Sequence, residues 1–261
     1  MENGKIIMQA SNLDIGYKTR NHTNAIATNI NLSLKHGTLT ALIGANGVGK
    51  STLLRTLTGI QKPLAGSVLL NEREIGDYTT AELAQNLSVV LTESLPPSNL
   101  TVYELIALGR QPYTNWAGSL SGDDNHKISQ ALALTHTKQL LDKKHFEISD
   151  GQLQKVLIAR ALAQDTPLII LDEPTTHLDL QHKVSVLKLL KNLAEDQGKC
   201  ILYSTHDLDL ALQLSDEIIV MTESVVVQDT PKNCIQSKIF NTLFSDDAIV
   251  FDSVSGRFII T

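Results

Sequence analysis

The eight residues Gly44-Ala45-Asn46-Gly47-Val48-Gly49-Lys50-Ser51 constrain this chain more than any other stretch, because they match the spacing G-x-x-x-x-G-K-[ST]. Leu39 to Ile43 reads as a buried strand before them. Leu53, Leu54, Leu57 and Ile60 follow at helical spacing, with Gly59 as a stop. A strand that turns through glycines into a helix lets successive backbone N–H groups converge on a phosphate chain, and the helix N-terminus adds partial positive charge. In that frame Lys50 reaches the outer phosphates and the Ser51 hydroxyl is a Mg²⁺ ligand. The stretch predicts a nucleotide site, and a nucleotide site on such a unit predicts an α/β fold.

The composition fits this expectation. Apolar residues make up 42% and charged residues 19% of 261, ordinary values for a chain that buries a large core as one large or two small domains. The net charge of −6 and the pI near 5.7 argue against a nucleic-acid binder held by phosphate contacts. Cys200 and Cys234 stand far apart without C-x-x-C spacing and read as ordinary thiols in a reducing compartment. No apolar run approaches the roughly 18 residues of a membrane span, and the first residues lack a signal-peptide core. The expectation is a cytoplasmic protein that reaches any membrane by docking on a partner.

Taken in order, Ile6 to Tyr17 reads as a short β region in which Leu13, Ile15 and Tyr17 alternate, and Ile30, Leu32 and Leu34 alternate again. Tyr17 precedes the polar loop Lys18 to Asn24; read alone, it is either an edge-packing residue or an aromatic for stacking on an adenine ring. Val68 to Leu70 reads as a strand turning at Asn71 to Arg73, Thr80 to Asn86 as a helix capped by Thr79 or Thr80, and Leu87 to Leu91 as a buried strand. The composition then shifts. From Ser94 to Ser149 the pattern is mainly helical, with a Thr101/Glu104 capping box and an amphipathic helix over Ile128 to Leu141. Ser149-Asp150-Gly151-Gln152 opens another helix, whose apolar stripe is Leu153, Val156, Leu157, Ala161 and Leu162. Leu168 to Leu171, Cys200 to Tyr203, Glu217 to Met221 and Val225 to Val227 are strands, Val184 to Leu193 is a helix, and the tail is mixed.

Leu168-Ile169-Ile170-Leu171 runs into Asp172-Glu173-Pro174, so a central parallel strand delivers two carboxylates at its C-terminal end, where open α/β sheets bind ligands. Phosphoryl transfer needs charge neutralisation and positioning more than covalent chemistry. Asp172 suits a Mg²⁺ ligand, directly or through water, and Glu173 a base that polarises the attacking water. His206 ends the next strand and suits a hydrogen-bonding sensor of the γ-phosphate. His177 and His182 are too awkwardly spaced for one helical face, so no transition-metal site is assigned.

The order of these parts resembles the ATP-binding cassette (ABC) ATPases over essentially the whole chain, from about Ile7 to the C-terminus: phosphate loop, helical insert, Ser-x-Gly-Gln helix, Leu-Asp-Glu-Pro, Thr-His-Leu-Asp, Ser-Thr-His. The resemblance implies an α/β P-loop domain with a RecA-like core, an N-terminal antiparallel β region and an inserted α-helical subdomain. Residues 1–93 and 150–261 would form the β region and core, and 94–149 the insert. It implies ATP and Mg²⁺ as cofactors. Tyr17 becomes the adenine-stacking aromatic, beside Gly44, Ala45, Asn46, Gly47, Val48, Gly49, Lys50, Ser51 and Thr52 of the phosphate loop. Ser149, Gly151 and Gln152 match the signature that binds the γ-phosphate held by a second subunit. Thr176 to Asp179 matches the D-loop, which crosses the dimer interface, so Asp179 also belongs to a nucleotide site. Lys50, Glu173 and His206 are the catalytic set.

Two positions depart from the family pattern. Asp150 replaces a glycine of the signature; a carboxylate about 4 Å from a phosphate costs roughly 4 kcal/mol at an effective dielectric near 20, so it must point away or pair with a cation, or the second site is weakened. Glu93 stands where a glutamine usually contacts Mg²⁺ and senses the membrane partner. It retains an oxygen for the metal and loses the amide donor. Within the family, Asn99 to Val102, Leu108-Gly109-Arg110-Gln111-Pro112-Tyr113 and Glu173 to Asp179 resemble the ATPases of ferric-siderophore, haem and cobalamin importers. That resemblance implies a head-to-tail homodimer at the cytoplasmic face of the inner membrane. Permease subunits would dock on the helical subdomain, an external binding protein would take part indirectly, and no nucleic acid would be involved. A soluble ABC ATPase unconnected with transport and an attenuated ATP-binding dimer module are the alternatives.

Overall fold

The partly alternating segments near the N-terminus become a half-covered antiparallel sheet, and unbroken apolar runs become strands buried on both faces. The computed structural model describes residues 4–19, 22–91, 98–116, 118–243, 249–252 and 257–260. The first half contains β1 (Ile6–Lys18), β2 (Thr23–Lys35), β3 (Leu39–Gly44), α1 (Lys50–Leu57), β4 (Ala65–Leu70), β5 (Arg73–Glu74), α2 (Thr80–Ala84) and β6 (Leu87–Val90). β1 pairs antiparallel with both β2 and β4, giving a four-stranded sheet in the order β2-β1-β4-β5. Asn71 and Glu72, both left-handed (φ 49° and 64°), turn β4 into β5.

The helical stretch follows as α3 (Val102–Ala107), α4 (Gly122–Thr135) and α5 (Asp150–Ala163). Then come β7 (Leu168–Leu171), α6 (Leu180–Gln197), β8 (Cys200–Thr205), α7 (Leu208–Leu214), β9 (Glu217–Met221), β10 (Val226–Asp229), α8 (Pro231–Gln236) and the hairpin β11 (Ile249–Asp252) and β12 (Arg257–Ile260). The central sheet has the order β10-β9-β3-β8-β7-β6 and is parallel except for β10. One of its faces packs Leu42, Ile170 and Leu202 against α1 and the antiparallel sheet; the other packs Ile43, Leu171 and Tyr203 against the helices. The strand carrying the phosphate loop and the strand carrying Asp172 therefore end on the same edge, separated by β8.

Local chemistry sets the helix starts. Thr79/Glu82, Thr101/Glu104, Ser121/Asp124 and Ser149/Gln152 all form reciprocal capping boxes. Several boundaries differ from the sequence expectation. α1 stops at Leu57 and Gly59 turns left-handed (φ 72°), so Ile60 leaves the apolar face and is exposed. β6 stops at Val90, which leaves Leu91 exposed. The helix expected to reach Leu141 ends at Thr135, because His136 adopts φ 54° and caps it. α6 begins four residues earlier than expected, with Asp179 as its cap, and runs to Gln197, where left-handed Gly198 caps it. Inside the helical stretch, Arg110 is buried. Its Nε donates to Asp124 at 2.7 Å, a further N–H donates to the Ala163 carbonyl at 2.8 Å, and the guanidinium lies 4.0 Å from the Tyr113 ring centre.

Candidate active site

The phosphate loop is shaped by contacts that only glycine tolerates at two points. A Cβ on Gly44 would lie 2.5 Å from the Met221 carbonyl oxygen, and one on Gly49 (φ 115°) would lie 2.4 Å from Ile26. Asn46 and Gly47 form the open lip of the loop, with Ala45 and Val48 half-buried beneath them. Lys50, the first residue of α1, is buried, and its Nζ donates to the carbonyls of Gly44 (2.9 Å) and Ala45 (3.1 Å). Burial pushes its pKa below the usual lysine value, against the opposing pull of Glu173 and Asp172. Ser51 is exposed and Thr52 buried; the Thr52 hydroxyl lies 3.2 Å from the Tyr17 hydroxyl. That bond ties the half-exposed Tyr17 to the first turn of α1, at the rim of the loop.

The carboxylate end of β7 is organised by β8. The parallel register Leu171↔Tyr203 sets Ser204 beside Asp172. The Ser204 hydroxyl donates to Asp172 Oδ1 (2.6 Å) and accepts the Glu173 N–H (2.8 Å). Glu173 is itself left-handed (φ 49°). His206 Nε2 lies 2.5 Å from Glu173 Oε1, and the Thr176 hydroxyl donates to Oε2 at 2.9 Å. Burial acts to raise the Glu173 pKa, but these hydrogen bonds and the charges of His206 and Lys50 outweigh it and hold the carboxyl below its ordinary range. A cleft of about 310 Å³ lies between α1 and this edge, lined by Ser51, Asp172 and Glu173 with Arg55, Ile60 and Leu91.

Ser149, Gly151 and Gln152 lie apart from this cluster. Ser149 and Gln152 bond to each other in the cap of α5, and Asp150 is exposed in the first helical turn, where the helix dipole favours a carboxylate. Asp179 caps α6 and accepts from His182. Glu93 falls outside the described residues. Sequence reasoning gave Ser204 no role, weighed His182 only as a metal ligand, and placed Thr176 at the start of the D-loop without its bond to Glu173. Nothing in the chain announced these partners.

The ABC transporter family model matches residues 27–176. The achromobactin transport ATP-binding protein of Dickeya dadantii is 39% identical over 90% of this chain and 86% of its own length. The iron(3+)-hydroxamate import ATP-binding protein of Bacillus subtilis is 37% identical over 96% of this chain and 92% of its own length. The chain belongs to the ABC transporter family. It is an ATP-binding, ATP-hydrolysing member of it. A solved structure described as an inward-facing ABC transporter of metal-chelate type superposes with a TM-score of 0.80 at 28% identity, covering 92% of this chain and 89% of that one. A dimeric cassette in a post-hydrolysis state with ADP and Pi superposes at a TM-score of 0.73 and 29% identity, over 86% of this chain and 98% of that one. Among the described residues of this ABC ATPase, no helix is long and apolar enough to cross a membrane.

The metal that accompanies ATP in such chemistry is tested by the donors present. Mg²⁺ keeps several waters and takes one or two protein oxygens beside the phosphates. Ser51 and Asp172 line one cleft and supply that donor set.

Proposed function

We propose that this ABC ATPase is the motor subunit of an importer for an iron chelate, haem or cobalamin, the relative named for iron(3+)-hydroxamate import favouring the first. The observation that carries the mechanism is the hydrogen-bonded run Asp172–Ser204–Glu173–His206, whose two carboxylates line one cleft with Ser51 and act electrostatically on Lys50. In this reading the loop from Gly44 to Thr52 cradles the phosphates of ATP and Tyr17 stacks on its base. Lys50 exchanges its loop carbonyls for phosphate oxygens. Ser51 and Asp172 would hold Mg²⁺, with Glu93 as a further oxygen; the metal neutralises charge on the phosphates. Glu173 orients and polarises the attacking water, and His206, already bonded to it, senses the γ-phosphate.

Two copies work head to tail, so that Ser149, Gly151, Gln152 and Asp179 of one chain meet the nucleotide held by the other. The pair sits at the cytoplasmic face of the membrane beneath a permease docked on the helical stretch 94–149. Support for docking there comes from apolar side chains left exposed on that stretch: Leu108, Tyr113 and Trp116. The test is steady-state hydrolysis of Mg-ATP by the purified chain beside Lys50→Ala and Glu173→Gln. Turnover falling by a factor of about 10² or more in Glu173→Gln is expected for loss of a general base. A Glu173→Gln variant as fast as the parent would sink the mechanism.

A further inference from the structure

The first turn of α6 touches the signature turn as well as its own cap. Asp179 Oδ1 accepts the His182 backbone N–H at 2.9 Å, and His182 Nδ1 lies 2.8 Å from each oxygen of the same carboxylate. An ionised carboxylate only accepts, so Nδ1 carries the proton. That bond turns the imidazole across the start of α5. A Cβ built on Gly151 would lie 2.8 Å from His182 Cδ2 and 3.1 Å from Cγ. Gly151 has no left-handed backbone to demand glycine; the space it leaves is filled by the His182 ring. The next residue faces elsewhere: Lys183 Nζ pairs with Asp207 at 2.9 Å, beside the switch residue His206.

We propose that His182 is a positioning residue that locks the signature turn, through Gly151, to the Thr176–Asp179 loop, through Asp179. This rests on the dimer reading above, in which both segments approach the nucleotide of a partner copy. Each is a short turn at a helix start. Without a link, the two would reach that nucleotide independently, and each would lose its own orientational freedom at closure. The imidazole makes them one body before closure, with one face hydrogen-bonded and the other in van der Waals contact. His182 itself touches no phosphate in this account.

The test separates positioning from binding and from stability. Turnover and KM for Mg-ATP are measured for the parent, His182→Ala and His182→Asn, beside the affinity of each for a fluorescent ATP analogue. His182→Ala should lower kcat by about 10- to 100-fold, the loss a small misplacement produces, with analogue affinity unchanged. His182→Asn, whose amide still donates to Asp179, should recover part of the loss. The contact is read separately by melting. Gly151→Ala should lower Tm sharply in the parent and far less in the His182→Ala background, because the clashing ring is gone. Unchanged kcat in His182→Ala, a loss matched by weaker analogue binding, or additive Tm changes would each overturn the proposal. A parent chain without turnover would count against the motor reading alone, and the melting cycle would still decide the contact.

Discussion

Both oxygens of the Glu173 carboxylate are engaged, one by His206 and one by Thr176, while its backbone N–H is held by Ser204. A left-handed residue other than glycine costs on the order of 1 kcal/mol, and the three bonds offset that here. They also keep the carboxyl ionised to lower pH than an ordinary glutamate. A base held below its usual pKa puts the acid limb of the kcat/KM profile at low pH, and removing a donor moves that limb upward. Thr176→Val removes the hydroxyl and keeps the shape, so its acid limb should lie at higher pH than the parent's. Coincident limbs would mean that Thr176 does not tune Glu173.

At the scale of elements, the helical stretch is held by a buried charge pair as well as by apolar packing. Asp124 accepts from Ser121 at the cap of α4 and from Arg110, and these bonds hold its carboxyl at about 2. A depressed carboxylate contributes stability above its unfolded pKa and loses it as pH falls toward its folded one. The denaturant midpoint of the parent should therefore drop between about pH 4 and pH 2. Asp124→Ala should flatten that window and lower stability at pH 7 by about 3 kcal/mol, because Arg110 is left buried without its closest carboxylate. Equal slopes in parent and variant would show that the pair does not respond to acid.

At the scale of the whole molecule, the residues assigned to nucleotide chemistry fall into two groups. Ser51, Asp172 and Glu173 line one cleft and both carboxylates act electrostatically on Lys50, whereas Gly151 and Asp179 both lie against His182 and Ser149 and Gln152 bond to each other. In the head-to-tail dimer proposed above, the first group of one chain would meet the second group of the other. Lys50→Ala and Ser149→Ala chains should each be inactive alone. Mixed, they form dimers with one intact composite site, so turnover should recover to about one quarter of the parent's on statistical exchange. A mixture no more active than its components would rule out shared sites.

The chain itself determined the phosphate loop, the carboxylate-tipped strand and most helix starts, because each depends on a few neighbours: glycines at Gly44 and Gly49, an apolar run ending in Asp172, hydroxyl caps at Thr101 and Ser149. It also carried the order of motifs from which the family was legible. Helix ends were less visible, since His136 stops α4 by a backbone conformation that no periodicity signals. The partners of the Asp172 and Glu173 carboxylates were decided only by tertiary structure. Ser204 meets Asp172 because β8 lies between β3 and β7 in one particular register, and strand order is a property of the folded sheet. His182 meets Gly151 because two helices far apart in the chain start side by side. Spacing along the sequence records neither.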